Sequence, residues 1–228
     1  FRNESSVPKQ TAQNDNSVDS LASDAAMSFQ FCLDERTLFH GIKKVNPGTF
    51  MKGRGAKILE KVTYWDTDYQ IDNYHTEEYF VDNLRSLLED SMRLQIRSDV
   101  PLGGYISGGI DSSLVCSLAS NDLDSAMPIF HGRFAEGPEY DESDYAKLMA
   151  DEINGIYHET VPTAQQFVDT LPGLIYSLDE PLAGPGLFPQ FCVSKLASEN
   201  VKVILGGQGG DEIFGGYARY LVGYLEQA

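Results

Sequence analysis

The chain has 228 residues, 42% of them hydrophobic, and a net charge of −17. That length allows one sizeable core plus an appendage, and so much acid argues against nucleic acid or an anionic membrane as partner. No apolar stretch approaches the ~20 residues that span a bilayer, and no secretory leader is visible. Cys32, Cys116 and Cys192 are widely spaced, with no C-x-x-C or Cys/His cluster. This argues against a zinc site, suggests a reducing cytoplasm, and makes Cys116 and Cys192 small buried hydrophobes. The chain begins with Phe1 rather than Met and is expected to be a piece of a longer protein.

Residues 1 to about 26 are rich in Ser, Asn, Asp and Gln and read as a mobile segment. Residues 37–50 alternate in polarity and turn at Asn46-Pro47-Gly48, a hairpin signal, and a second strand runs from Ile58 to Trp65. A long amphipathic helix follows over 76–97, capped by Thr76, with Glu77 and Glu78 at its positive end. Its apolar stripe is Phe80, Leu84, Leu87, Leu88, Met92 and Ile96.

Strand and helix then alternate. Strand 102–106 leads to a helix at 112–120, and strand 128–131 to a helix at 142–153 ended by Asn154-Gly155. Strand 156–161 leads to a helix at 164–177, and a helix at 188–199 precedes strand 201–205. Such alternation predicts an α/β fold, a parallel twisted sheet with helices on both faces, with ligands at the carboxyl ends of the strands.

Two Gly-rich loops fall at such strand ends. The first is Ser107-Gly108-Gly109-Ile110-Asp111-Ser112-Ser113. Paired glycines let successive backbone N–H groups form a nest for phosphate oxygens, and the serines add hydroxyl donors. Asp111 repels a polyphosphate unless a cation lies between them, which points to Mg²⁺. No Gly-Lys-Ser/Thr follows, so this is not the usual phosphate loop. It is similar to the loop of enzymes that split ATP between the α- and β-phosphates; a plain strand-to-helix turn is the bland alternative.

The second loop runs from Gly206 to Tyr217 and holds Gln208, Asp211 and Glu212 among six glycines. If its strand lies beside strand 102–106, Asp111 and Asp211 face the same metal–pyrophosphate group; otherwise it is a flexible loop. The segment from Ser177 to Gly186 is either an acceptor-pocket lining or a helix-ending turn. His131 is either a neighbour of a nucleotide base or a packing residue. Arg93 and Arg97 either neutralise phosphate or form surface ion pairs.

Asp99-Val100-Pro101-Leu102-Gly103 before the first loop, then Ser177–Pro181, then Gly206–Tyr220, with Asn46-Pro47-Gly48 and Tyr64-Trp65-Asp66 upstream, together resemble the asparagine synthetase family. The resemblance implies an adenine nucleotide alpha hydrolase-like fold with a PP-loop. It divides the chain into a mobile linker or remnant (1–36), the end of an N-terminal glutaminase domain (37–66), and a C-terminally truncated synthetase domain (67–228). It implies an ATP-dependent ligase that activates a carboxylate, aspartate foremost, as an acyl-AMP with release of pyrophosphate. Ammonia derived from glutamine in the partner glutaminase domain then forms the amide.

By the same resemblance Ser107, Gly108, Gly109, Asp111, Ser112 and Ser113 bind pyrophosphate, and Asp111 and Asp211 hold Mg²⁺. His131, Gly132, Gly207 and Gly209 contact the nucleotide, with Asp111, Asp211 and Gln208 in the catalytic set. A homodimer is compatible with this reading. Gln208 departs from the acid usual in asparagine-forming members. That departure leaves open another acceptor, as in β-lactam-forming enzymes or amidotransferases acting on peptides or polysaccharides. A non-catalytic nucleotide-binding fragment is a further alternative. With no glutaminase part, the chain by itself is expected to be inactive with glutamine.

Overall fold

A computed structural model describes residues 17–135, 137, 140–178, 184 and 186–227. The chain forms two compact units: residues 1–71 with 172–184, and residues 72–171 with 185–228.

In the first unit, helix α1 spans Ser20–Phe29, with Asp19 accepting from the Ala22 amide as N-cap. A mobile stretch was expected up to about 26, but the cap and the Ala-rich run that follows it form a regular helix here. Residues 1–16 lie outside the described residues. Strands β1 (Thr49–Arg54) and β2 (Lys57–Thr63) pair antiparallel. The hairpin turns at Gly55-Ala56, where Gly55 takes φ +61°, and not at Asn46-Pro47-Gly48. Those three residues close its open end instead: Pro47 has no N–H to give a ladder, and the Gly48 carbonyl accepts the amides of Tyr64 and Trp65.

In the second unit, helix α2 (Glu77–Gln95) starts at Thr76, whose hydroxyl accepts from the Tyr79 amide. Of its apolar stripe only Met92 is buried, with Leu88 and Ile96 half-buried. The outer half of the stripe stays exposed because α2 meets the core through its C-terminal turns.

The remaining elements are β3 (Leu102–Tyr105), α3 (Ile110–Asn121), β4 (Pro128–Gly132), α4 (Ser143–Glu152), β5 (Ile156–Thr160), α5 (Ala164–Leu178), α6 (Leu187–Ser198), β6 (Val203–Leu205), α7 (Gly210–Phe214) and α8 (Ala218–Gln227). The division between the two units falls within α5, at Pro172. Asn154, in the left-handed region at φ +53°, and Gly155 end the turn after α4 as expected.

The sheet is parallel throughout, in the order β5-β4-β3-β6. Met92, Cys116, Ala119 and Ala146 from α2, α3 and α4 pack on one face, while Val193 and Ala197 from α6 pack with Phe130 on the other. This is the expected α/β architecture, with helices on both faces. The chain steps from β3 to β4 to β5, then returns so that β6 lies on the far side of β3. Such a reversal opens a crevice at the carboxyl ends of the strands.

Two glycines let β3 serve as the middle of this sheet. A Cβ on Gly104 would stand 2.5 Å from the Cys116 sulfur, and one on Gly103 would stand 2.6 Å from the Pro128 carbonyl and 2.8 Å from Phe130. Cys116 is wholly buried and its thiol is pushed up to about 12 by that burial. Cys192 is only half-buried, contrary to expectation, because α6 turns the neighbouring Val193 to the sheet instead. No helix among the described residues is long and apolar enough to cross a membrane.

Gly104→Ala is expected to lower stability by about 1–3 kcal/mol through overpacking. Adding Cys116→Ala should return part of that loss. Urea unfolding of the two single variants and the double variant measures the coupling, and simple additivity would show that the two positions do not compete for space.

Candidate active site

A cleft of about 410 Å³ opens at the carboxyl ends of β3, β4 and β6, entirely within the second unit. Four segments build it: the loop after β3, the end of β4 with the loop beyond it, α6 with the residue before it, and the loop after β6.

The first loop is fixed by its own serines. The Ser107 amide donates to the Ser112 hydroxyl at 3.1 Å, and the two hydroxyls lie 3.0 Å apart. The Gly109 amide donates to the Ser107 hydroxyl at 3.1 Å. Gly108 turns the chain at φ +95°, where an L side chain is strained, and packs so closely on α4 that a Cβ would stand 2.9 Å from the Glu142 carbonyl. Helix α3 then begins at Ile110, so its free N–H groups open at the cleft.

The second loop lies directly on the first. β3 and β6 are hydrogen-bonded neighbours, with Leu102 opposite Val203 and Gly104 opposite Leu205. A Cβ on Gly207 would stand 2.6 Å from the Ser112 nitrogen, and one on Gly210 would stand 2.5 Å from the Asp111 carboxyl carbon. Only bare backbone fits between these loops. Asp111 and Asp211 thus line one cleft, as do Ser107, Ser112, Gly207 and Gly209.

His131 and Gly132 line it from the end of β4. Gly108, Gly109 and Ser113 are not in its wall; they shape the turn behind it, the Ser113 amide donating to the Gly109 carbonyl at 3.2 Å. Gln208 is at the rim, with its amide folded back over Gly206. Ser177 belongs to α5, and most of the segment up to Gly186 (179–183 and 185) lies outside the described residues. Arg93 and Arg97 take no part in the cleft wall.

The charge of the wall is lopsided. Asp111, Glu142, Asp211 and Glu212 all line it, and among the described residues lining it there is no Lys or Arg. An anion can enter such a site only with a cation, so the donor set suits a hard divalent metal bound together with phosphate oxygens. No group of three or more His, Cys, Asp or Glu side chains among the described residues forms a metal cage of its own. Mg²⁺ is commonly held by one or two carboxylates plus substrate phosphates, and Asp111 and Asp211 are two carboxylates in this wall. Tyr105, Phe130 and Val193 supply an apolar side to the same cleft.

The wall also contains residues without a motif. Phe134, Tyr140 and Glu142 reach it from the β4–α4 loop. That loop is tied down behind the cleft by Arg133, whose Nε donates to Glu159 at 3.0 Å and whose guanidinium lies 3.7 Å from Asp141. Tyr157 also donates to Glu159, at 2.9 Å, and Lys147 lies 3.4 Å from it. Burial works to raise the Glu159 carboxyl, but these donors outweigh it and hold the group below the usual range.

The family model for asparagine synthase matches residues 83–227. The chain belongs to the asparagine synthase family. It is 36% identical over 210 residues to asparagine synthetase [glutamine-hydrolyzing] 1 of Bacillus subtilis, across 92% of this chain and 33% of that protein. A putative asparagine synthetase of Mycobacterium tuberculosis is 33% identical across 90% of this chain and 32% of its own length. The amidase chry2 of Gibberella zeae is 27% identical across 86% of this chain and 32% of its own. The chain thus spans about a third of the length of the curated relatives it matches. Among solved structures, an NH3-dependent NAD synthetase from Campylobacter jejuni overlaps with a TM-score of 0.39 at 14% identity, across 63% of this chain and 62% of that one.

In this asparagine synthase domain one ionisation at the cleft has a Tyr hydroxyl as its largest influence, with backbone N–H groups and Arg219 adding to it. The Tyr217 hydroxyl donates to Glu212 at 2.8 Å and holds its carboxyl below the ordinary value, while the Tyr217 hydroxyl is itself raised. A carboxyl lowered by folding adds stability above its unfolded value, and that stability fades as pH falls through the folded value. Tyr217→Phe is expected to move the Glu212 carboxyl back toward 4.5, read by a carboxyl carbon NMR titration. An unmoved titration would mean that the hydrogen bond does not persist in solution.

Proposed function

We propose that this chain is the nucleotide-binding part of an ATP-dependent ligase that forms an amide, with aspartate as the leading acceptor. The observation that carries the reading is the meeting of two Gly-rich loops from adjacent parallel strands, with Asp111 and Asp211 in one cleft. The α3 N-terminus, the Ser107 and Ser112 hydroxyls and the backbone of Gly207 and Gly209 offer the polar contacts a pyrophosphate needs. The apolar wall of Tyr105, Phe130 and Val193, with the backbone of Gly132, suits an adenine ring.

A carboxylate oxygen of the acceptor attacks the α-phosphorus. The bond to the bridging oxygen breaks and pyrophosphate leaves with its electron pair, giving an acyl-adenylate. Ammonia then attacks the acyl carbon, AMP leaves, and the nitrogen gives up a proton. Asp111 and Asp211 would hold Mg²⁺, which neutralises charge as it builds on the leaving pyrophosphate. In the whole protein a glutaminase domain, as in the glutamine-hydrolyzing relatives, supplies the ammonia.

Calorimetric titration of ATP into the full-length protein tests this, with and without Mg²⁺ and beside Asp111→Asn. Binding should require Mg²⁺ and weaken roughly tenfold or more in the variant, the scale of one charge-assisted contact. Indifference to both would make the chain a nucleotide-binding module without this chemistry, or none at all.

A second reading keeps the chemistry and changes the acceptor. Gln208 at the cleft rim favours it, because an amide neither serves as a carboxylate base nor holds an ammonium strongly. Pyrophosphate release by the full-length protein, compared with aspartate and with other carboxylic acids, separates the two. Stimulation by aspartate supports the first reading, and stimulation only by another acid supports the second.

A further inference from the structure

His131 is 3% exposed and is the next-to-last residue of β4, at the cleft. Its Nδ1 lies 2.8 Å from the carbonyl oxygen of Ile106. A carbonyl can only accept, so Nδ1 carries the hydrogen and donates it. The ring's other nitrogen, Nε2, is buried without a hydrogen-bond partner among the described residues. A buried unpaired polar atom has a cost that packing alone does not explain, because an apolar side chain would fill the same space without it.

The acceptor's position explains what the ring is for. The last β3–β4 pair is Tyr105 opposite Phe130, and Ile106 lies just beyond it. The Ile106 amide still donates to the Phe130 carbonyl at 3.0 Å. Its carbonyl goes to the next β4 residue, through the His131 side chain instead of the backbone. Ile106 is therefore gripped at both backbone groups by consecutive residues of β4, and the residue after it, Ser107, starts the loop. The ring has little freedom: it stacks near Tyr157, centroids 6.1 Å apart, and Tyr157 is tied to Glu159.

We infer that His131 is a positioning residue for the first Gly-rich loop: its Nδ1–H fixes the Ile106 carbonyl and so sets where Ser107 leaves the sheet and how the loop amides are aimed. Its value for catalysis rests on the reading of that loop as the pyrophosphate site. An asparagine can place an N–H where Nδ1 stands; a glutamine places its amide nearer Nε2, and a leucine offers neither.

The test begins on the unsubstituted protein without nucleotide. Nitrogen-15 NMR of the imidazole should show the hydrogen on Nδ1, and a hydrogen on Nε2 alone would overturn the inference. Backbone amide resonances of 107–113 are then compared among His131→Asn, His131→Gln and His131→Leu. They should stay in place with Asn and move with Gln and Leu. Unmoved resonances in His131→Leu, or equal movement in all three, would overturn it. Mg-ATP affinity of the full-length protein should follow the same order, within threefold for Asn and about tenfold weaker for Leu. Amide shifts that behave as stated in a protein that binds no nucleotide would leave the positioning role standing and defeat the nucleotide reading instead.

Discussion

The parallel pairing of β3 with β6 is the contact on which the site depends. These strands are about a hundred residues apart in sequence, and each ends in a Gly-rich loop. Placing them side by side puts both loops at one edge of the sheet and brings Gly207 and Gly210 against Asp111 and Ser112. Half of β3 is glycine. Gly103 and Gly104 admit Phe130 on one face and Cys116 on the other, so the middle strand can be covered closely on both sides.

The two loops reach order by different means. The first is held by hydrogen bonds among Ser107, Gly109 and Ser112. The second is held by exclusion: Gly207 and Gly210 lie where nothing larger than hydrogen fits, and Gly216 packs on Asp211 in the same way. A polar network tolerates small displacements if its donors and acceptors follow one another. In the second loop close packing acts beside hydrogen bonds, such as that from the Gly216 amide to the Asp211 carbonyl at 2.9 Å.

Much of this was legible in the sequence. The alternation of short apolar runs with amphipathic helices fixed the sheet as parallel, and the two Gly-rich loops marked the strand ends that matter. What escaped was set by contacts distant in sequence. Glu142, Tyr140 and Phe134 reach the cleft because Arg133 ties their loop to β5, and no local pattern announces that. The hairpin turn was misplaced for a local reason, since Asn46-Pro47-Gly48 carries a stronger turn signal than Gly55-Ala56 but closes the other end. His131 is legible as a strand-end residue, but its tie to Ile106 depends on the β3–β4 register, which composition does not encode.

The acidity of the chain and the proposed binding of a polyphosphate are consistent with each other. With Asp111, Glu142, Asp211 and Glu212 in the wall and no described Lys or Arg beside them, neither metal-free ATP nor free pyrophosphate is well received. On the proposed reading, a site of this charge suits the metal–nucleotide pair better than either anion alone.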